Sequence, residues 1–111
     1  MNDCPFCQKL DAKPIFPLPE GRENAENQTA WAKWDNYPAS PGHLLVLPKR
    51  HVPSWFALSA QEQIDILDLV DECQKMLSRE FEPQGYNVGF NDGKAAGQTI
   101  NHFHMHVIPR F

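Results

Sequence analysis

Three of the chain's five histidines, His102, His104 and His106, stand at alternate positions. The residues between them, Phe103 and Met105, are apolar and should pack into a core. This alternation is typical of a half-buried strand that places the three imidazoles on one face. Near neutral pH an imidazole can act as a nucleophile, an acid-base group or a metal ligand. Three in a row suit a site that handles phosphate. The alternative is a strand whose solvent face is merely rich in histidine.

A second group with chemical potential is the pair Cys4 and Cys7. Two cysteines at this spacing are either half of a zinc site or a redox pair. A redox motif of this type requires a strand before it, and only three residues precede Cys4, so the sequence favours zinc. Two further ligands are then needed, and we expect them to be histidines because Cys73 falls in a helical pattern. The alternative is a pair of inert thiols.

Composition limits the class of protein. A chain of 111 residues has room for one domain and one modest core, so we expect a single domain over 1–111 with an irregular segment at 1–30. The net charge is −4 and the longest basic run is Lys49-Arg50, which argues against a nucleic-acid surface. The sequence has no apolar run of membrane-spanning length and no leader, so we expect a cytoplasmic protein without a membrane partner.

Strands that could position these residues are predicted from apolar alternation and from turn residues. They lie at 31–35, 43–47, 86–90 and 102–108. The second is the most apolar and should be central, pairing antiparallel with the first. A short extended piece is also expected at 14–18. Together with one long helix, these strands predict an α+β domain with an antiparallel sheet.

The helix is predicted over residues 61–81. Ser59 and Glu62 form a capping box at its start. One apolar stripe should face the core, and it consists of Ile64, Leu67, Val70, Leu77 and Phe81. Cys73 and Met76 lie on or near this stripe, and we interpret them as core residues.

Three segments carry a resemblance to a known family: the Pro-Gly-His block at 40–51, the Ala-Gly-Gln-Thr loop at 96–99 and the alternating histidines at 102–108. Their order resembles the histidine triad (HIT) family of nucleotide hydrolases and transferases. The Asn-Asp-Gly turn at 91–93 and the ending at 106–110 look most like the dinucleoside polyphosphate hydrolase branch. The resemblance implies about five antiparallel strands, one long helix, a zinc-tied N-terminal segment and a homodimer.

The resemblance also implies the catalytic residues. By similarity, His104 is the nucleophile and forms a nucleotidyl-histidine intermediate, His106 hydrogen-bonds the α-phosphate, and His43 orients the His104 imidazole. The alternative for His43 is a structural histidine at a strand end. The substrates would be dinucleoside polyphosphates similar to diadenosine tetraphosphate, cleaved at the α-phosphate to give a mononucleotide.

Nucleotide-binding residues follow from the same resemblance. Asp35 would accept hydrogen bonds from the ribose hydroxyls. Asn91 would reach the phosphate or the bridging oxygen, with simple turn chemistry as its alternative. A glycine-bearing loop would present backbone N–H groups and a hydroxyl to the phosphates, because glycine permits close approach of the backbone. The residues of this loop are Gly97, Gln98, Thr99 and Ile100.

A zinc site is implied as well, because Cys4, Cys7, His51 and His102 match the ligands of a closed structural site in some members. His102 would then serve the metal rather than the phosphate. Other functions stay open. They are a phosphoramidate hydrolase or nucleotidyltransferase of the same family, a non-catalytic zinc-stabilised nucleotide-binding module, and a metal enzyme built on the three alternating histidines.

Overall fold

The structure is a computed structural model that describes residues 4–8 and 25–111. Within these residues the regular elements are α1 Pro5–Gln8, β1 Ala30–Trp34, β2 Leu44–Pro48, α2 Ala60–Phe81, β3 Gly85–Gly89 and β4 Met105–Arg110, with 3-10 turns at Trp55–Ala57 and Lys94–Ala96. The extended piece expected at 14–18 lies outside the described residues. None of the described helices combines the length and apolar character that crossing a membrane requires.

The four strands of the described residues form one antiparallel sheet in the order β1-β2-β4-β3. Strand β2 is central, as its apolar sequence predicts, and its pairing with β1 runs from Trp34 opposite Leu44 to Ala30 opposite Pro48. On its other side, Leu45 lies opposite His106 of β4. The α+β class and the antiparallel hairpin are confirmed. The sheet has four described strands rather than about five.

Strand β4 begins at Met105, three residues later than predicted. Its neighbour β2 ends at Pro48, which has no N–H to continue the ladder. The Phe103 N–H instead donates to the carbonyl of Val52 at 2.7 Å. The Pro48 carbonyl lies 2.9 Å from Nε2 of His102. The first histidine is therefore tied to the end of β2 by its side chain rather than by strand pairing.

The two faces of the sheet pack against different partners. One face is covered by α2, and its buried side chains include those of Leu44, Val46, Met105 and Val107. The other face packs against α1, and Phe6 forms a second buried cluster together with Trp31, Leu45 and Leu47. Burial of each large apolar side chain contributes roughly 1.5–3 kcal/mol. Phe103 and Met105 are buried in the first cluster, which confirms their predicted place in the core.

Helix α2 begins with the predicted capping box of Ser59 and Glu62, but its buried stripe differs in part from the prediction. Ile64 and Leu67 are 50% and 48% exposed, so their assignment to the core is wrong. The helix carries apolar residues on more than one side. The three- and four-residue spacing therefore fits a stripe that begins at Ile64 as well as the buried row that begins at Ile66. The buried apolar row is Ile66, Leu69, Val70, Cys73, Met76 and Leu77, which confirms the core role of Cys73 and Met76.

The capping glutamate also leads to a pH-dependent prediction. Glu62 accepts hydrogen bonds from Arg50 at 2.7 and 3.1 Å and from the Ser59 N–H at 2.9 Å. These bonds, chiefly those from Arg50, lower the pKa of Glu62 to about 2. A carboxyl with a lowered pKa stabilises the fold fully above its ordinary value near 4.5, and this contribution is lost as the pH falls towards 2.

We therefore expect Glu62→Gln to lower the Tm by a few degrees at pH 7 and by progressively less below pH 4.5. The effect is modest because Arg50 is largely exposed and solvent screens the ion pair. Thermal melts from pH 7 to pH 3 measure it. Glu80→Gln, at an exposed position of the same helix, is the matched control. An equal Tm difference at all pH values would contradict the assignment.

Candidate functional site

The residues predicted for catalysis and nucleotide binding surround one cavity of about 550 Å³. They come from the ends of β1 and β2, from the loop before β4 and from β4 itself. The volume falls within the range of roughly 300–1,000 Å³ found for small-molecule sites. The nine residues are Asp35, His43, Asn91, Gly97, Gln98, Thr99, Ile100, His104 and His106.

His104 is held in a single orientation beside this cavity. Its Nδ1 lies 2.8 Å from the carbonyl oxygen of His102. A carbonyl oxygen only accepts, so Nδ1 carries the proton and the neutral ring keeps its lone pair on Nε2. The Phe6 ring packs against it, with 5.2 Å between ring centroids. The cavity thus contains an oriented imidazole whose neutral form has its lone pair on Nε2, and a neutral ring with a free lone pair is the form a nucleophile requires.

A chain of hydrogen bonds fixes the other two rings. The Ala39 N–H donates to Nδ1 of His43 at 3.0 Å, so the proton of neutral His43 is on Nε2. That Nε2 lies 2.9 Å from Nδ1 of His106, which accepts and leaves His106 with an Nε2–H donor. His43 therefore positions His106. The expectation that His43 orients His104 is corrected, because its imidazole hydrogen bond goes to His106.

Burial lowers the pKa of both His43 and His106. For His106, the neighbouring His104 and His43 lower the pKa further. Asp35 acts in the opposite direction on both rings, but its effect is smaller than that of burial. Both imidazoles are therefore neutral at pH 7, and a neutral ring can donate from one nitrogen while it accepts on the other.

Asp35 directly follows β1, and its carboxylate lies beside the hydrogen-bonded pair of His43 and His106. Its Oδ2 lies 3.3 Å from Nε2 of His43 and 3.8 Å from Nδ1 of His106. Its Oδ1 accepts the Tyr37 N–H at 2.8 Å, which fixes the turn after the strand. The carboxylate is 15% exposed and lines the cavity. It can therefore orient His43 while its remaining lone pairs face a ligand.

Gly42 determines where His43 enters the site. Its φ of 86° is strained for residues with a side chain. A Cβ atom there would lie 3.1 Å from the ring of Phe81 and 3.2 Å from Leu77. The turn before β2 therefore rests directly on the last turns of α2.

The loop predicted to bind phosphate uses part of its hydrogen-bonding capacity internally. The N–H groups of Gly97 and Gln98 donate to carbonyls of Lys94 and Gly93, each at 3.1 Å. The Gln98 side chain also accepts the Gly93 N–H and donates to the carbonyls of Pro53 and Ile100. Two of the four backbone N–H groups predicted to bind phosphate are therefore already used within the loop. The N–H groups of Thr99 and Ile100 and the Thr99 hydroxyl are left from the predicted set.

The predicted metal ligands also meet in space. The ligand atoms of Cys4, Cys7, His51 and His102 all lie within 4.8 Å of one another. Three sulfur-to-nitrogen distances among them are 3.2, 3.4 and 3.5 Å. Tetrahedral zinc, with Zn–S near 2.3 Å and Zn–N near 2.0–2.1 Å, places sulfur and nitrogen ligands about 3.5 Å apart. The four residues therefore fit a zinc ion.

His102 is prepared for this role by its own hydrogen bond. Its Nε2 lies 2.9 Å from the carbonyl oxygen of Pro48 and must donate to it. Its Nδ1, which faces the two cysteines, keeps the lone pair. A backbone acceptor that fixes the tautomer of a ligating histidine is a usual feature of metal sites.

The alternative of a metal centre made from all three alternating histidines finds no support. In the described part of the chain, two clusters could hold a metal, and one is the cysteine-histidine group. The other consists of Asp35, His43 and His106. Neither cluster contains His104.

Several residues that line the cavity were not singled out from the sequence, among them Phe6, Lys33 and Leu45. The alternation of β1 places Lys33 on the same face as Asp35, and the alternation of β2 places Leu45 on the face of His43. Both could have been found from that alternation. Phe6 could not, because the packing of α1 on the sheet depends on contacts distant in sequence.

The comparisons with known proteins give a consistent result. A family model described as HIT domain matches residues 25–111. The chain is 40% identical over 108 residues to the adenosine 5'-monophosphoramidase hnt1 of Schizosaccharomyces pombe, covering 96% of this chain and 74% of that protein. It is 41% identical over 73 residues to the bis(5'-nucleosyl)-tetraphosphatase [asymmetrical] of the same organism, covering 66% of this chain. The chain spans only 40% of that enzyme's length.

A solved structure is also similar. It is a Zn-bound histidine triad family protein from Mycobacterium smegmatis, 28% identical, with a TM-score of 0.80. The match covers 98% of this chain and 76% of that one.

Proposed function

Because the chain belongs to the HIT-domain family, we propose that it is a nucleotide hydrolase that cleaves dinucleoside polyphosphates at the α-phosphate and releases a mononucleotide. One observation carries the proposal. His104, with its lone pair on Nε2, lies in the same cavity as His106, whose Nε2–H can donate. This arrangement supports a mechanism in which a nucleophile and a donor for a phosphate oxygen are positioned before a substrate binds.

In the proposed first step, the His104 Nε2 lone pair attacks the α-phosphorus in line with the leaving group. The N–P bond forms as the P–O bond to the leaving nucleotide breaks. That nucleotide departs as a phosphate anion and needs no proton. The substituted His104 ring gains a positive charge, which the hydrogen bond from its Nδ1–H to the His102 carbonyl stabilises. His106 donates to a non-bridging phosphate oxygen, supported by His43 and Asp35.

In the second step, water attacks the same phosphorus. The N–P bond breaks, its electron pair returns to Nε2 of His104, and the proton of the water is released to solvent. In both steps of the proposed mechanism, the N–H groups of Thr99 and Ile100 and the Thr99 hydroxyl donate to phosphate oxygens. Zinc held by the cysteine-histidine cluster would supply a structural cross-link between the N-terminal segment and the residues before β4. None of these proton or phosphorus steps involves that cluster.

A phosphoramidate hydrolase is the second candidate, favoured by the similarity to the phosphoramidase along almost the whole chain. In a phosphoramidate the leaving group is an amine, and its nitrogen must gain a proton as the P–N bond breaks. The phosphate leaving group of a dinucleoside polyphosphate needs no proton. The homodimer, the cytoplasmic location and the single domain stay predictions.

The proposal is tested by an assay panel. Purified protein is incubated with diadenosine triphosphate, diadenosine tetraphosphate, adenosine phosphoramidate and GTP, and the products are resolved by chromatography. Faster release of mononucleotide from the dinucleoside polyphosphates supports the proposal. Turnover of the phosphoramidate alone selects the second candidate. No turnover of any compound, with nucleotide binding retained, would indicate the non-catalytic module.

A separate prediction concerns Asp35. If its carboxylate binds the ribose hydroxyls, Asp35→Ala should raise KM more for ribonucleotides than for 2'-deoxy analogues. Loss of one hydrogen bond to a charged group should cost roughly 1.5–3 kcal/mol. Asp35→Asn keeps an acceptor for the Tyr37 N–H and serves as the control for loss of the turn. If both variants raise KM equally for ribonucleotides and 2'-deoxy analogues, Asp35 does not bind the ribose and only orients His43.

A further inference from the structure

A second cavity adjoins the first along the loop that is predicted to bind phosphate. Its volume is about 590 Å³, again within the range of roughly 300–1,000 Å³ found for small-molecule sites. Gly97, Gln98 and Thr99 line both cavities. His104 and His106 line the first cavity only. The mechanism above places no part of the substrate in the second cavity.

The described lining of the second cavity carries one positive charge and no negative charge. Its polar side chains are those of Lys94, Gln98, Thr99 and Asn101. The neighbouring Asp92 is engaged elsewhere, because its Oδ2 accepts the Ser54 hydroxyl at 3.0 Å and the Trp55 N–H at 2.8 Å. An ammonium has three N–H donors and no acceptor, so the chemistry of this lining suits an anion.

The backbone that carries Lys94 is fixed, while its side chain is accessible. The Gly97 N–H donates to the Lys94 carbonyl at 3.1 Å, and the Gly93 carbonyl accepts two further N–H groups at 3.0 and 3.1 Å. The Gly93 N–H donates to Oε1 of Gln98 at 2.7 Å. The Lys94 side chain is exposed, and within residues 4–8 and 25–111 no carboxylate forms an ion pair with it. A phosphate in the second cavity can therefore reach the ammonium.

A dinucleoside polyphosphate needs a place for the phosphates beyond the one that reacts. In-line displacement requires the leaving group on the side of the phosphorus opposite the attacking nitrogen of His104. Thr99 lines both cavities, whereas His104 lines only the first. A phosphate bound by the Thr99 donors thus has the nucleophile on one side and the second cavity on another. The remaining phosphates can extend over the loop into the second cavity.

We propose that the second cavity binds the phosphate groups of the leaving nucleotide and that Lys94 is the cation that neutralises them. The inference rests on the proposed function for the position of the α-phosphate. The negative charge on the leaving phosphate increases as the P–O bond breaks, so a nearby ammonium stabilises its departure. The cavity would therefore favour leaving groups that carry phosphate over the uncharged amine of a phosphoramidate.

The first test measures binding without turnover. AMP has only the α-phosphate, whereas α,β-methylene-ADP adds a second phosphate through a carbon bridge that cannot be hydrolysed. Calorimetry in buffer without divalent cations should show that the wild-type protein binds α,β-methylene-ADP about three- to tenfold more tightly than AMP, the range for a charged hydrogen bond that solvent partly screens. Equal affinities, or tighter binding of AMP, would overturn the proposal.

Variants assign the effect to one side chain. Lys94→Met should lower the affinity for α,β-methylene-ADP about three- to tenfold and leave that for AMP within about twofold. Lys94→Glu should lower it further, because it adds repulsion, and Lys94→Arg should retain it. Lys75→Met, at an exposed position of α2, is the control for loss of a positive charge. An unchanged affinity ratio in Lys94→Met, or an equal loss for both nucleotides, contradicts the assignment.

The second test compares leaving groups. In Lys94→Met, kcat/KM for diadenosine tetraphosphate should fall about three- to tenfold while kcat/KM for adenosine phosphoramidate stays unchanged. An equal fall for both substrates would contradict a role towards the leaving group. The binding test separates this inference from the proposed function. A Lys94-dependent preference for the second phosphate in a protein without hydrolase activity would support the inference alone, and hydrolysis that Lys94→Met leaves unchanged would support the function alone.

Discussion

His104→Asn should lower kcat by about four to six orders of magnitude while nucleotide binding changes by only a few-fold, because the substitution removes a covalent nucleophile. Asparagine is close to the imidazole in polarity and keeps a donor that can reach the His102 carbonyl, the partner of Nδ1 at 2.8 Å. The loss should therefore come from chemistry and not from a change of fold. Single-turnover rates and calorimetric Kd values for the same nucleotide measure the two effects separately.

A labelling experiment supplies the control. With substrate labelled at the α-phosphate, rapid denaturation without acid should trap label on His104 of the wild-type protein. His106→Ala removes the donor but keeps the nucleophile, so it should react slowly and still trap label. His104→Asn should trap none. A His104 variant with a tenth of the wild-type rate would rule out the covalent mechanism.

The second large effect concerns the metal. Protein purified without chelator should contain about one zinc per chain, and Cys4→Ser or His51→Ala should remove most of it. The ion cross-links an N-terminal segment to residues near β4, so its binding free energy adds to folding. We expect the Tm of these variants to fall by roughly 10–20 °C, corresponding to a few kcal/mol for a domain of this size. Their activity well below the Tm should fall much less.

Cys73→Ala is the matched control, because Cys73 is a buried thiol in the main core, away from the cluster. It should keep the zinc content of the wild type. His102→Ala should lose both zinc and activity, since it removes a predicted ligand and also the side-chain hydrogen bond to Pro48 that holds the backbone whose carbonyl orients the His104 ring. If the purified protein contains no zinc, the alternative interpretation of Cys4 and Cys7 as inert thiols is correct. Immediate loss of activity on addition of chelator, with the fold intact, would show that the ion takes part in chemistry.

The sequence was most informative where a local pattern determines position. Strand alternation and turn residues predicted the sheet, and the resemblance to the histidine triad family predicted nine residues that line one cavity. Contacts between distant segments were not predictable in this way. The partner of the His43 Nε2 depends on the register between β2 and β4, and the buried side of α2 depends on how the helix rests on the sheet. Apolar residues at 64 and 67 satisfied the helical period without facing the core.

The contact between Gly42 and the end of α2 has a consequence for local unfolding. Because Phe81 and Leu77 occupy the space where a side chain at residue 42 would stand, the last turns of the helix cannot shift without releasing the backbone that carries His43. These two segments should therefore open together as one cooperative unit. Amide hydrogen exchange at the end of the helix thus reports on how often the hydrogen-bond chain of Asp35, His43 and His106 is interrupted.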